Sequence, residues 1–184
     1  MENPIWSQIR LPKKNSNILD VLEVIPAFDG LSRNELKLVG RLLHERRYKK
    51  GEIVFNEGEP GAGMYIVIAG EVAITRKMGG TAEVSLAVIK ERSFFGELAL
   101  LDEIPRSASA LATVDTVLFG FSKPSLESLC SRNPRLGIKI LSNLSRLLCR
   151  RLVNSNEAME KLQDSLPGHE RDNRPPAESI GANV

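Results

Sequence analysis

Along the chain the spacing of apolar residues changes character twice, from helical to β and back again. Ile18, Leu19, Val21, Leu22 and Ile25 are spaced for a short amphipathic helix over 18–24, which Pro26 halts. A second helix is expected from Ser32. With Ser32 as N-cap and Glu35 three residues later, the pair forms a capping box ahead of Leu36, Leu38, Val39, Leu42 and Leu43. Past His44 the period shortens. The runs 53–55, 64–69, 72–75, 84–88 and 111–114 are short and β-rich, and Gly51, Gly58, Gly61, Gly63, Gly70 and the Gly79-Gly80 pair punctuate them. Short strands with glycine turns every eight to twelve residues or so predict a sandwich or jelly-roll barrel. Val72/Ile74 and Val84/Leu86/Val88 alternate with smaller or polar residues, which puts Ile74 and Leu86 on inward faces of half-buried strands.

Beyond Phe121 the helical period returns. Residues 122–131 read as one short helix, and Asn133-Pro134 opens a long one reaching about Ser165, with Pro134 tolerated in its first turn. Along it Leu141, Leu144, Leu148, Leu152, Ser155, Met159, Leu162 and Leu166 follow steps of three and four. That is a narrow seam of near-heptad period. In the first half Ile138, Ile140 and Leu147 widen the apolar face, so it is expected to pack on the β-domain. Past Val153 only the seam remains, and a second copy of the helix is the expected cover, giving a parallel homodimer through 141–166. The fold class is therefore α+β: a β jelly-roll barrel (double-stranded β-helix) with N-terminal helices and a long C-terminal helix. The boundaries read as an N-terminal arm 1–17 with Trp6, and a domain 18–166 made of helices to residue 44, barrel 45–121 and helices 122–166. A charged, proline-rich tail 167–184 has almost nothing to bury and is expected to be disordered.

Candidate chemistry concentrates in 94–110. Gly96 permits a tight turn, and Glu97 to Leu101 are helix formers, so a strand end feeds a one-turn helix there. The free N–H groups of that turn favour an anion, and Arg106 returns a guanidinium to the same place behind Pro105. Ser107, Ala108, Ser109 and Ala110 are small enough for a ligand to lie close. One arginine plus a helix start suits about one negative charge, while Glu97 only accepts hydrogen bonds, as from a sugar hydroxyl. A cyclic phosphodiester on a ribose meets both demands. A triphosphate does not, because no Gly-rich run ending Gly-Lys-Ser/Thr occurs.

Gly96-Glu97-Leu98-Ala99-Leu100 followed by Pro105-Arg106-Ser107-Ala108 resembles the phosphate-binding cassette (here 95–109) of the cyclic-nucleotide-binding domain family. The resemblance implies that Glu97 takes the ribose 2′-hydroxyl, that Arg106 takes the cyclic phosphate, and that the amides of Leu98, Ala99 and Ala108 complete the cradle. It implies that Ile74 and Leu86 pack on sugar and base, and that the long helix is a lid whose Ser155 and Asn156 meet the purine edge. Ser107 favours cyclic AMP, with cyclic GMP possible. Three departures accompany the match: Arg92 stands where many members have a turn glycine, Ile104 makes the cassette tip apolar, and no helix-turn-helix reader follows the long helix.

Charge and composition narrow the alternatives. A net charge of +2 on 184 residues gives no polyanion-binding surface, so direct nucleic-acid binding is not expected. His44 and His169 are the only histidines, too few for a cupin-like metal enzyme, and neither catalysis nor a metal is expected. Cys130 and Cys149 read as reduced thiols. No apolar run approaches the ~18 residues of a membrane span, and 1–17 is no signal peptide, which predicts a soluble cytoplasmic protein without membrane contact. The expected function is a stand-alone cyclic nucleotide sensor acting on an effector protein. The alternative is a ligand-free scaffold that keeps the fold, against which the retained Glu97 and Arg106 speak.

Overall fold

The elements in chain order are α1 Ile18–Leu22, a 3-10 turn Pro26–Phe28, α2 Arg33–Gly40, β1 His44–Tyr48, β2 Ile53–Phe55, β3 Gly63–Ala69, β4 Glu71–Met78, β5 Ala82–Lys90, β6 Phe94–Phe95, α3 Leu98–Leu101, β7 Ser109–Ala112, β8 Thr116–Ser122, α4 Lys123–Arg132 and α5 Pro134–Ser165. This is a computed structural model that describes residues 18–78 and 82–165. The arm 1–17 with Trp6, the Gly79-Gly80 turn, Leu166 and the tail 167–184 lie outside the described residues. The strands form two four-stranded antiparallel sheets, ordered β1-β8-β3-β6 and β2-β7-β4-β5, so the jelly roll is two facing layers and not one closed ring.

Local chemistry accounts for the helix boundaries. Glu35 Oε2 accepts from Ser32 N at 2.7 Å and Ser32 Oγ from Glu35 N at 3.4 Å, which is the capping box expected from sequence. Pro26 ends α1 and also opens the 3-10 turn, where its missing N–H costs nothing. Between α4 and α5 the contact is backbone-close, since a Cβ on Gly137 would stand 2.9 Å from Cys130 Cα.

Two clusters hold the first unit, which runs to Leu147. The larger joins Leu22, Ile25, Phe28, Leu36 and Val39 of the N-terminal helices to Met64, Ile66 and Phe121 of the sheet and to Leu136, Ile140 and Leu144 of α5. Asn143 fastens the same helix, its Nδ2 donating to Asp29 O at 2.8 Å and Ala27 O at 3.2 Å while its Oδ1 accepts from Arg146 Nη2 at 2.7 Å. The smaller cluster lies between the sheets: Val67, Val72, Phe95, Ala110 and Leu118, with Phe55, Tyr65 and Ile74 packed against it.

Three expectations need correction. Strand β7 begins two residues earlier than its apolar run suggested, because Thr113 and Thr116 turn the chain by bonding Glu71 O. Val84, Leu86 and Val88 are not half-buried in β5 but 40, 53 and 48% exposed. Strand β5 is the last of its sheet, and a bulge pairs Ile74 with Ala87 but Thr75 with Ser85, leaving Leu86 without a partner residue. On α5, Leu144 is fully buried whereas Ile138 is 63% exposed, so Leu144 belongs to the packed face and the outward apolar stripe starts at Ile138. In the second unit, from Leu148 on, Leu152, Val153, Met159 and Leu162 are all more than half exposed.

Candidate functional site

The site is built where β6 ends. Phe94 and Phe95 pair with Ile66 and Tyr65 of β3, and the chain then turns through Gly96 at φ +74° into the single turn of α3. A side chain is doubly excluded at Gly96: the backbone is left-handed, and a Cβ would lie 2.6 Å from Arg106 Nη1. The glycine thus makes the turn and clears space for the guanidinium.

Arg106 is held at its backbone by the loop after β2. Gly58 N donates to Arg106 O and Arg106 N to Glu59 O, both at 2.8 Å, and Pro60 faces Pro105 in the same short antiparallel bridge. Gly61 brings this loop onto α3, with room for no Cβ beside that of Ala99, which would be 2.5 Å away. In the sequence Gly58 and Gly61 read only as turn punctuation. Their glycine spacing is the visible signal, but their partners, Arg106 and Ala99, lie 48 and 38 residues away.

Arg106 is 7% exposed. Its Nη1 donates to Gly96 O at 3.1 Å and its Nη2 to Gly63 O at 2.8 Å, while the guanidinium carbon sits 4.1 Å from the centre of the Phe55 ring. Among the described residues, Arg106 Nε is buried with no hydrogen-bond partner. Of five N–H groups, two are spent on carbonyls, so the Nε–H and one N–H on each terminal nitrogen remain for an acceptor. Burial pushes the pKa of Arg106 down, opposed by Tyr65 and by the charges of Glu59 and Glu97. Arginine stays protonated under such pressure, so the result is a poorly solvated cation that gains by meeting an anion.

The other candidates divide by location. Glu97, 3% exposed, caps α3, and Ala108, 7% exposed, follows Arg106 toward β7. Leu98 is 38% exposed and Ser107 is exposed. Ala99 N is already committed to Gly96 O at 3.3 Å, so this amide is less open than the one-turn helix suggested. The structure therefore gathers Gly96, Glu97, Leu98, Ala99, Arg106, Ser107 and Ala108 into one turn–helix–strand unit. Ile74 joins it through β7, paired with Ala110 and packed on the inner cluster, whereas Leu86 is outside that cluster. Ser155 and Asn156 are exposed residues of the second unit. A cleft of about 580 Å³ lined by Ile53, Thr75, Lys77, Glu83, Ser109, Ala110 and Leu111 includes none of the cassette residues 96–108. Among the described residues no group of His, Cys, Asp or Glu is arranged to hold a metal, and no helix is long and apolar enough to cross a membrane.

The sequence profile described as "Cyclic nucleotide-binding domain" matches residues 45–133. Over 137 residues, 74% of this chain, the sequence is 35% identical to "Cyclic AMP receptor protein" of Thermus thermophilus, of whose length it spans only 62%. The sensor domain of the transcriptional regulator DNR from Pseudomonas aeruginosa is 30% identical, with TM-score 0.61 over 73% of this chain and 91% of that one. The regulatory domain of Toxoplasma gondii PKA, crystallised with cAMP, is 25% identical with TM-score 0.61, covering 72% of this chain and 48% of that one.

Proposed function

The chain belongs to the cyclic nucleotide-binding domain family, and on that premise we propose that it is a cyclic AMP sensor whose occupancy is passed through α5 to an effector protein. The observation that carries the reading is Arg106: a cation buried to 7% exposure, with an unpartnered Nε and two further N–H groups to offer. A cyclic phosphate presents to that fork two exocyclic oxygens that share one negative charge, and Glu97 beside it accepts a hydrogen bond from the ribose 2′-hydroxyl. The amides of Leu98 and Ala108 add to the cradle, while Ala99 N gives up its long bond to Gly96 O. Cyclic AMP is preferred over cyclic GMP because the T. gondii neighbour was crystallised with it and the Thermus relative bears it in its name.

In this reading residues 18–166 are one ligand-binding domain. Ile74 lies against the sugar, Leu86 closes on it from β5, and Ser155 and Asn156 reach the base when α5 acts as lid. Only contacts made in the closed state, such as theirs, couple binding to a change of shape. The stripe of Ile138, Leu141, Leu148, Leu152, Met159 and Leu162 pairs with its counterpart in a second copy.

One experiment tests both halves. Calorimetric titration of the nucleotide-stripped protein with cyclic AMP, cyclic GMP and linear AMP is expected to give micromolar or tighter cyclic AMP binding with linear AMP rejected, and sedimentation of the same samples a dimer. Arg106→Ala removes a charge-assisted bidentate contact of about 2–4 kcal/mol, a loss of roughly 30- to 1000-fold. A folded, stripped protein that gives no heat with any nucleotide leaves only the scaffold reading, and a monomer at micromolar concentration removes the paired helices.

A further inference from the structure

Phe55 stands where strand alternation alone would not put it. Ile53 pairs with Leu111 on the outer face and is 54% exposed, and Phe55, two residues on, would share that face in a regular strand. The register shifts between them instead, so that Phe55 pairs with Ala110, which is fully buried in the inner cluster. A bulge of this kind re-aims a side chain. What it aims at is the guanidinium of Arg106, whose central carbon lies over the Phe55 ring, 4.1 Å from the ring centre, and 5.8 Å from that of Tyr65. Tyr65 and Phe95 back the first ring, with centres 6.0 and 5.8 Å from it and 5.5 Å from each other.

We infer that Phe55 is a positioning residue for the anion site, its ring face holding the Arg106 guanidinium in place with the unspent N–H groups left for a phosphate. The inference rests on the cyclic nucleotide reading for its ligand, though not for its geometry. Two carbonyl bonds fix the ends of the guanidinium but leave it free to tilt about the line between them. A π-face underneath removes that freedom, and it attracts the cation without consuming any of its N–H groups. A carboxylate in the same place would compete with the ligand for those groups. An aromatic platform holds the cation while leaving its donors unspent.

The test separates shape from π-character. In the full-length protein, Phe55 is replaced by leucine and, separately, by pentafluorophenylalanine, which keeps the ring but reverses its quadrupole. Cyclic AMP affinity is expected to fall about 2- to 30-fold with each, the range of a cation–π contact, and to return with Phe55→Tyr. In an Arg106→Gln background, Phe55→Leu is expected to change affinity less than twofold. Parent-like binding by the pentafluoro protein, or equal losses with and without Arg106, would overturn the inference. A second readout needs no ligand: the Arg106 Hε resonance, assigned by its disappearance in Arg106→Gln, is expected upfield in the parent from the Phe55 ring current and shifted downfield in Phe55→Leu. If the parent binds no nucleotide at all, the sensor reading fails while this resonance still decides the platform, and an Hε indifferent to Phe55→Leu refutes it.

Discussion

Replacing Asn143 with aspartate exchanges one atom type and nothing of the shape, yet it reverses the chemistry where α5 is fastened to the N-terminal helices. Asn143 is 7% exposed, and its Nδ2 lies 2.8 Å from Asp29 O and 3.2 Å from Ala27 O. In Asn143→Asp a carboxylate oxygen faces those two carbonyls. Two donated bonds worth about 1 kcal/mol each are lost, and a partly buried charge is set against two negative dipole ends. Arg146, whose Nη2 is 2.7 Å from the other oxygen, offsets part of this. The carboxyl can escape by protonating, which caps the electrostatic cost at pH 7 at about 4 kcal/mol for an ordinary aspartate pKa near 3.9. A net loss of about 3 kcal/mol at pH 7.5 is expected, shrinking to roughly 1–2 kcal/mol at pH 5. The sign follows from linkage: the folded-state pKa of the new carboxyl is raised, so the folded state binds the extra proton and the deficit shrinks as pH falls. Urea unfolding of parent and variant at both pH values measures it. A variant within about 0.5 kcal/mol of the parent at pH 7.5, or an equal deficit at both pH values, would refute the reasoning.

Two other predictions concern stability. Arg92 holds φ +61° in the turn between β5 and β6, with its N–H donating to Val67 O at 2.9 Å. Left-handed backbone costs a side-chain-bearing residue about 1–2 kcal/mol and glycine almost nothing, while glycine's unfolded-state freedom returns part of it. Arg92→Gly is therefore expected to raise the thermal midpoint by about a degree or two and Arg92→Val to lower it by several degrees, and equal midpoints for the two variants would disprove the conformation. Glu35 has its pKa lowered from 4.5 to about 2, chiefly by the Lys139 ammonium at 2.8 Å and next by Ser32 N–H. A depressed carboxylate stabilises fully above its unfolded value and loses that contribution as pH falls from about 4.5 to about 2. The pair is partly exposed, so after screening the contribution is about 1 kcal/mol. Relative to Glu35→Gln, the parent's advantage in urea midpoint is expected at pH 6 and much reduced at pH 3, and a gap that does not change between them contradicts the assignment.

What the sequence disclosed was local. The Gly96-Glu97 turn, the Pro105-Arg106 return and the Ser32/Glu35 box each declare themselves within a dozen residues, and all three stand in the structure. Strand β1 went unread because His44-Glu45-Arg46-Arg47 shows no apolar alternation, its residues being exposed at the edge of a sheet. The bulges opposite Leu86 and beside Phe55 cannot be read from period, since one inserted residue inverts the faces of everything after it. Hence alternation alone puts Leu86 inward and gives Phe55 no role. On α5 the near-heptad spacing was plain, but whether Ile138 or Leu144 faces the domain depends on where Ala27 and Asp29 anchor Asn143, and that is a long-range fact.

The four sheet edges differ in what they offer to other molecules. Strand β1 is armoured by Glu45, Arg46 and Arg47, and β2 and β6 are three and two residues long, too short to template anything. Strand β5 runs nine residues at a free edge with Val84, Leu86 and Val88 turned to water, and only Glu83, Lys90 and Glu91 flank it as gatekeepers. Aggregation on heating or at high concentration is therefore expected to begin by strand addition at β5, and Val88→Lys is expected to suppress it without touching the cassette.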